Sequence, residues 1–430
     1  MQNLPVEAEY PASFRSGEVA ELAAFIKHAS SVEFVGMKRV GISNFLRYFI
    51  YNPLVWKKYF GKNHTFFIPV DLNELIESEA YPFWLLTFKR VLDAVEHDGF
   101  NGAFKDAVNA RFNRAIQTRD HFLTIDGLRK TLIDIVELGY LPVLFFIRFG
   151  RMKNSITPDL YLNLQGLRDA THKKLVYVFT GFRELSQMHP QVVGENTASV
   201  FYRTMYLRPL DDRNANIIAA SLEKKYHLKV SSATRKNLIQ LCGGHVQYLN
   251  TCYIALHEQD VTGNPLSKLM TDERIGLISD ELFSRLDDQE QKALLLVAHD
   301  KSIEAQSKKS VFYLYKSGLI QKVGKKEVIF SQFLLKYLLE LERKDKENDI
   351  LYLTDKEEAL FRTLKKSAGE ICDRDMIIKN VWPEYSESGI SDWAIDRLVA
   401  RLRNKLKKMN SEYVIKTMRT RGFMLIARTP

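Results

Sequence analysis

Cysteine is nearly absent from this chain. Cys242, Cys252 and Cys372 are the only three in 430 residues, and no two stand as C-x-x-C. A disulfide scaffold and a zinc ribbon are thereby excluded. Long apolar runs are absent as well: the longest interior one, Leu141 to Ile147, falls far short of the roughly 20 residues that span a bilayer. The opening MQNLPVEAEYPAS has neither a basic n-region nor an apolar h-region, so no secretory leader is expected. No fixed-period repeat and no low-complexity tract interrupts the chain. Together these absences predict a reduced, cytoplasmic protein with no membrane partner.

What is present is ordinary in amount and uneven in place. A hydrophobic content of 46% and a charged content of 27% exclude wholesale disorder. The length predicts about two to four domains. Lys and Arg number 62 against 52 Asp and Glu, a net charge of +10. Between Ser391 and Pro430 there are ten basic and three acidic residues, so 10 − 3 gives +7 in the last forty positions. A cationic patch concentrated in one terminal module is the electrostatic footprint of nucleic-acid binding. The competing reading is a solvated charged helix face.

The N-terminal half alternates helical patterns with buried strands. Gly17–Ala29, Asn44–Tyr51 and Tyr81–His97 have helical apolar spacing. Ser31–Val35, Thr65–Asp71, Leu141–Phe149 and Lys174–Thr180 are short, continuous and β-prone, as strands covered on both faces of a parallel sheet are. From Asp211 to about Glu258 the pattern is helical with a break at Gly243-Gly244. Ser279–Glu340 reads as three helices, the third over Lys309–Ser317, and a hairpin around Gly324, which is a winged helix. Glu342–Asp349 is almost wholly charged and reads as a linker. The predicted organisation is a tail over 1–13, an α/β domain over 14–205, a helical lid over 206–275, an internal winged helix over 276–341, a linker over 342–352 and a second winged helix over 353–430.

The last segment has the most specific pattern. Thr354 and Glu357 form a capping box ahead of an apolar stripe. A helix over Trp393–Lys408 places Ile395, Leu398, Val399, Leu402 and Leu406 on one face and Arg397, Arg401, Arg403, Lys405 and Lys408 on the rest. Val414–Met418 and Gly422–Ile426 are strands joined across Arg419-Thr420-Arg421. LTDKEEAL, Trp382, SDWAIDRLVARLRNKL and YVIKTMRTRGFMLI resemble the OmpR/PhoB-type winged-helix domain of bacterial response regulators over the whole of 353–430. The resemblance implies that the third helix enters the major groove and the wing an adjacent minor groove. By position it places Arg397, Arg401 and Arg403 at recognition-helix contacts, Arg419 at the wing contact and Thr417 near a phosphate; Lys405 on the helix and Arg421 on the wing are further candidates for DNA contact. The chain departs from the family at Leu398, Ala400 and Thr420. Arginine bridges guanine O6 and N7 in the major groove, which agrees with the assignment. Acids at helical spacing from Arg401 and Arg403 are few, with Asp396 the nearest, so the sequence reads these two as unpaired charge awaiting an anion.

Gly36–Ser43 has the G-x-x-x-x-G-x-S spacing of a P-loop, between a strand and a helix as that motif requires. Gly36, Gly41 and Ser43 fit it, but Ile42 stands where the phosphate-binding lysine belongs. Lys38 or Arg39 offers charge from another direction. LPVLFFIRFGRM resembles the strand that ends in Asp-Glu in STAND and AAA+ ATPases, yet Ile147 and Arg148 occupy those places. VYVFTGFREL resembles their strand with a polar tip at Thr180. YLRPLDDRNANIIAAS and CGGHVQYL resemble the STAND lid, with His245 either a core residue or a phosphate contact. The implied fold is α/β, a parallel-sheet P-loop NTPase-like domain followed by a helical lid and two winged-helix domains.

These readings converge on a sequence-specific DNA-binding transcriptional regulator with an inactive STAND/AAA-like ATPase module as sensor or scaffold. No catalytic residue, metal site or cofactor is expected, and ATP or ADP binding at Gly36, Gly41, Ser43 and Thr180 is the open question. The expected partners are double-stranded DNA, a second copy on tandem sites and RNA polymerase. The alternatives are a working ATP-driven STAND switch and an origin-recognition-type replication initiator.

Overall fold

A computed structural model describes residues 5–61, 64–152, 155–188, 203–258, 268–347, 353–383, 390, 392–409, 411–418 and 421–427. The chain forms two compact units, one of Met1–Asn250 with Phe312–Gln321 and one of Thr251–Val311 with Lys322–Pro430. Among the described residues no helix is long and apolar enough to cross a membrane.

The first unit is built on five parallel strands, β1 (Val32–Gly36), β2 (Thr65–Asp71), β3 (Leu141–Ile147), β4 (Val176–Gly181) and β5 (Thr204–Leu207), in the spatial order β2-β3-β4-β1-β5. Between them run α1 (Ser16–Lys27), α2 (Ile42–Tyr51), α3 (Pro53–Tyr59), α4 (Ala80–His97), α5 (Gly102–Thr118), α6 (His121–Glu137), α7 (Pro158–Ala170) and the single turn α8 (Leu185–Met188). Side chains alternate across a strand, so a sheet covered on both faces needs apolar residues at every position. The strands supply them as aromatics. Phe146, Tyr177 and Phe179 join Phe83, Trp84 and Phe88 of α4 in one core. Phe67 and Phe145 point the other way and meet Phe49 of α2 and Phe60 in a chain of ring contacts. Pro69 lacks a backbone donor and is tolerated because β2 is an edge strand. The helical region that follows comprises α9 (Asp212–Tyr226), α10 (Ser232–Cys242) and α11 (Val246–Glu258). Gly243 and Gly244 both have positive φ, 58° and 76°, and separate α10 from α11. At Gly244 a Cβ would lie 2.0 Å from the Leu210 carbonyl oxygen, so no other residue fits.

Next come α12 (Glu273–Ser284), α13 (Asp288–Ala298), α14 (Phe312–Lys316), the hairpin β6 (Ile320–Val323) and β7 (Lys326–Ile329), and α15 (Gln332–Glu347). The helix expected over Lys309–Ser317 is confined to Phe312–Lys316, because residues 305–311 form turns. Residues 312–321 pack on the first unit, where Arg208 Nε donates to the Lys316 carbonyl at 3.1 Å and the Arg183 guanidinium lies 3.8 Å from the Tyr313 ring centroid.

The chain closes with α16 (Asp355–Lys366), α17 (Arg374–Val381), α18 (Asp392–Lys408) and the antiparallel hairpin of β8 (Tyr413–Met418) and β9 (Gly422–Ala427). The Thr354–Glu357 capping box forms in both directions. Leu360, Ile377, Trp382, Ile395, Leu398, Leu402, Phe423 and Leu425 share one core. Leu398 is a core residue at 1% exposure, which explains the apolar side chain there. Gly422 has φ 135°, and a Cβ on it would lie 2.0 Å from the Cys372 carbonyl oxygen. That close approach lets Cys372 and Phe423 exchange backbone hydrogen bonds at 2.8 and 2.9 Å, which anchors the hairpin to the helices.

Candidate functional site

Two regions hold the predicted site residues. In the first unit, β1 ends at Gly36 and the segment Gly36–Ser43 leads directly into α2. Met37 and Val40 are buried and seat the loop on the core. Gly41 is the N-cap of α2 with φ 106°, and Arg39 also has a positive φ of 60°. Ile42 turns back toward the end of β1, its Cδ1 3.4 Å from where a Cβ on Gly36 would lie. Ser43 sits half-buried in the first turn of α2. The Lys38 Nζ lies over the Phe182 ring, 4.1 Å from the centroid.

The GGHV stretch that opens α11 lies on this loop. A Cβ on Gly41 would come within 2.7 Å of Val246 Cγ2. His245 is fully buried; its Nε2 is 2.8 Å from the Lys38 carbonyl oxygen, and its Nδ1 is 3.3 Å from the Tyr248 backbone N–H. The carbonyl can only accept and the N–H only donate, so the ring is the neutral Nε2–H tautomer. Burial pushes its pKa from 6.5 down to about 4, against the Lys38 bond and with the help of Arg39. His245 is thus a core residue that ties the start of α11 to the loop.

The far side of the same sheet edge has different chemistry from an acidic strand end. β4 lies between β1 and β3, and its register puts Thr180 opposite Phe34. The Thr180 hydroxyl oxygen accepts the Arg148 backbone N–H at 2.8 Å. The Arg148 guanidinium forms an ion pair with Asp71 at the end of β2, the residue opposite Ile147. Asp71 also accepts the Asn73 N–H at 3.0 Å. Asp71 was missed in the sequence, although the strand TFFIPVD ends on it. Beneath the sheet edge, Glu33 of β1 is 5% exposed and accepts the Leu185 N–H at 3.1 Å. Burial, reinforced by Glu184, pushes its carboxyl up to about 8.

The second region is α18 and its hairpin. Arg401 is exposed on the surface of α18, and Arg397, one turn earlier, is half-buried. Arg397, Arg403 and Lys405 are held by partners from outside the helix, which the sequence reading of unpaired charge did not anticipate. Arg403 donates from Nε to the Ile415 carbonyl at 2.9 Å and from Nη2 to the Thr417 hydroxyl at 2.7 Å, so two predicted contact residues bind each other. Lys405 pairs at 2.7 Å with Glu357, whose side chain is 3% exposed. Arg397 pairs at 3.1 Å with Asp280 of α12. Arg421 is exposed in the hairpin turn, and Arg419 lies outside the described residues. Asp280 and Glu281 are buried acids beside Ile278, Leu282 and Phe283 of α12, a pattern that marks charges needing partners. That signal was present in ERIGLISDELFS. Among the described residues no group of three His, Cys, Asp or Glu side chains is placed to hold a metal.

Residues 347–425 match the family described as "Transcriptional regulatory protein, C terminal". They cover the whole of α16, α17, α18 and β8, so the chain ends in the winged-helix domain of transcriptional regulatory proteins. No curated protein matches the chain. Among solved structures, similar chains include the Walker-type ATPase of Pyrococcus abyssi, at 14% identity and a TM-score of 0.49, covering 78% of this chain and 100% of that one. The Cdc6p protein from Pyrobaculum aerophilum follows at 11% and 0.40, covering 80% and 97%. The Orc1 protein of Aeropyrum pernix in complex with DNA stands at 12% and 0.35, covering 99% and 92%.

Proposed function

We propose that the chain is a cytoplasmic, sequence-specific transcriptional regulator in which residues 353–430 bind double-stranded DNA and the P-loop-like unit is an inactive sensor or scaffold. The observation that carries the reading is α18. It is a cationic helix packed by its apolar face on a capped helix pair, with a hairpin tied to its flank by Arg403, inside the segment that matches transcriptional regulatory proteins. A helix of this kind fits the major groove, where an exposed arginine such as Arg401 reads guanine. A second copy on tandem sites and contact with RNA polymerase belong to the same reading.

The inactive module follows from a misfit at the loop. A magnesium-bound triphosphate needs a lysine on its terminal phosphates and a carboxylate for the metal. Ile42 supplies no charge, Arg148 stands at the strand end, and the neighbouring Asp71 is engaged by that arginine. One feature favours retained nucleotide binding without turnover: the N-terminus of α2 and Ser43 keep the helix-end geometry that attracts phosphate. ATP or ADP is therefore a ligand to test and not a required cofactor.

The test is selection of bound sites from random duplex DNA, run with the full chain and with residues 353–430. The expected result is one enriched motif shared by both, repeated in tandem for the full chain. Recovery of no motif by either would overturn the reading.

A further inference from the structure

We propose that α12 is an intramolecular acidic cover for the recognition helix, holding α18 and its neighbours through carboxylates that stand in for DNA phosphates. The inference rests on the DNA-binding reading of α18 and adds to it a means of control. Five contacts carry it, all within the second unit. Arg397 Nε of α18 lies 3.1 Å from Asp280 Oδ2. The other Asp280 oxygen accepts the Tyr337 hydroxyl at 2.5 Å, which fixes the carboxylate toward the arginine. Two turns earlier on the same helix, Glu273 Oε1 accepts Trp382 Nε1 at 2.9 Å, and its Oε2 is 3.4 Å from Lys356 Nζ. Between these two anchors Leu277 of α12 packs on the core of the C-terminal domain.

Arg397 and Arg401 are one turn apart, so they share a face of α18. Arg397 is the nearer to the start of the helix and is occupied by Asp280. The start of the face that would enter a groove is therefore held by α12, while Arg401 further along it is exposed. The partner carboxylate is 7% exposed on its side chain, whereas Arg397 is 38% exposed. A buried carboxylate is stable only while paired, so the contact is not an incidental surface bridge.

The consequence is an opening equilibrium ahead of DNA binding. If only a fraction of molecules has α18 free of α12, the apparent dissociation constant is raised by the inverse of that fraction. An event in the rest of the chain that loosens α12 would raise DNA affinity without touching a DNA contact.

The experiment compares the full chain with Asp280→Asn/Glu273→Gln, and with a charge-matched control, Asp288→Asn/Glu304→Gln, at exposed acids outside the contact. The probe is a random-sequence duplex at fixed salt, with hydrogen exchange over residues 392–408 as a second readout. Neutralising the cover is expected to tighten binding about tenfold relative to the control, and to speed exchange in α18. Should the double variant lose its fold, Tyr337→Phe removes only the hydroxyl on Asp280 and should tighten binding about two- to threefold. Affinity equal to that of the control overturns the proposal. If no form binds duplex DNA, the DNA-binding reading falls by itself, and exchange still judges the cover: equal protection of residues 392–408 in parent and neutralised chains overturns it.

Discussion

His245 shows how one side chain can give the first unit a pH dependence. Its imidazole is neutral and bonded at both nitrogens, and burial holds its pKa near about 4 against 6.5 in the unfolded chain. Between those values the unfolded state binds the proton and the folded state does not, so stability falls as pH falls from about 6.5 to about 4. Above 6.5 the contribution is complete. Glu33 acts in the opposite sense, because its carboxyl is raised to about 8 and it loses stability as pH rises toward that value. The two slopes overlap, and substitution separates them. His245→Phe should cost about 1–3 kcal/mol at pH 7 through the lost hydrogen bonds, and should flatten the acid limb of a urea-unfolding series. An acid limb as steep as that of the parent would contradict the assignment.

At the scale of elements, the loop between β1 and α2 carries the clearest prediction. Phosphoryl transfer draws its rate from positioned charge. With Ile42 turned back on β1 and Arg148 paired to Asp71, the purified protein should release no phosphate from ATP above background. Ile42→Lys should strengthen nucleotide binding without restoring turnover, since Ile147 and Arg148 put no carboxylate at the end of β3. Magnesium-dependent turnover in the unmodified protein, abolished by Ser43→Ala, would restore the ATP-driven switch. The elements themselves were largely legible. Continuous apolar strands such as KLVYVFT and TFFIPVD were found because a sheet buried on both faces leaves no polar positions. β5 was missed because TMYL is short, lies at an edge and is only partly buried. α5 and α6 were missed because polar residues fill much of their surface. Asp71 and Asp280 were missed for a common reason: each is defined by a partner far away in sequence, Arg148 and Arg397. The sequence reading therefore described the α18 cations as unpaired, whereas Glu357, Asp280 and the hairpin backbone supply partners that helical spacing does not reveal.

On the scale of the whole molecule, forty C-terminal residues carry +7 of a net +10, and the partners found for Arg397, Arg403 and Lys405 do not remove that excess. They change which cations are available. Arg403 is committed to the hairpin, Lys405 to α16 and Arg397 to α12, while Arg401 and Arg421 are exposed. The division of labour follows: Arg401 should read or grip DNA, and Arg403 should hold the helix and the wing in register. The measurement that tests the central claim most directly is a salt titration of the full chain on its selected duplex, alongside Arg401→Ala and Arg403→Ala. Affinity should fall with salt at a log–log slope of about −0.9 per phosphate neutralised. Arg401→Ala should cost about 1–3 kcal/mol with the fold's stability unchanged, and Arg403→Ala should lower the stability of residues 353–430 as well. A flat salt response, with Arg401→Ala binding as the parent does, would contradict the account.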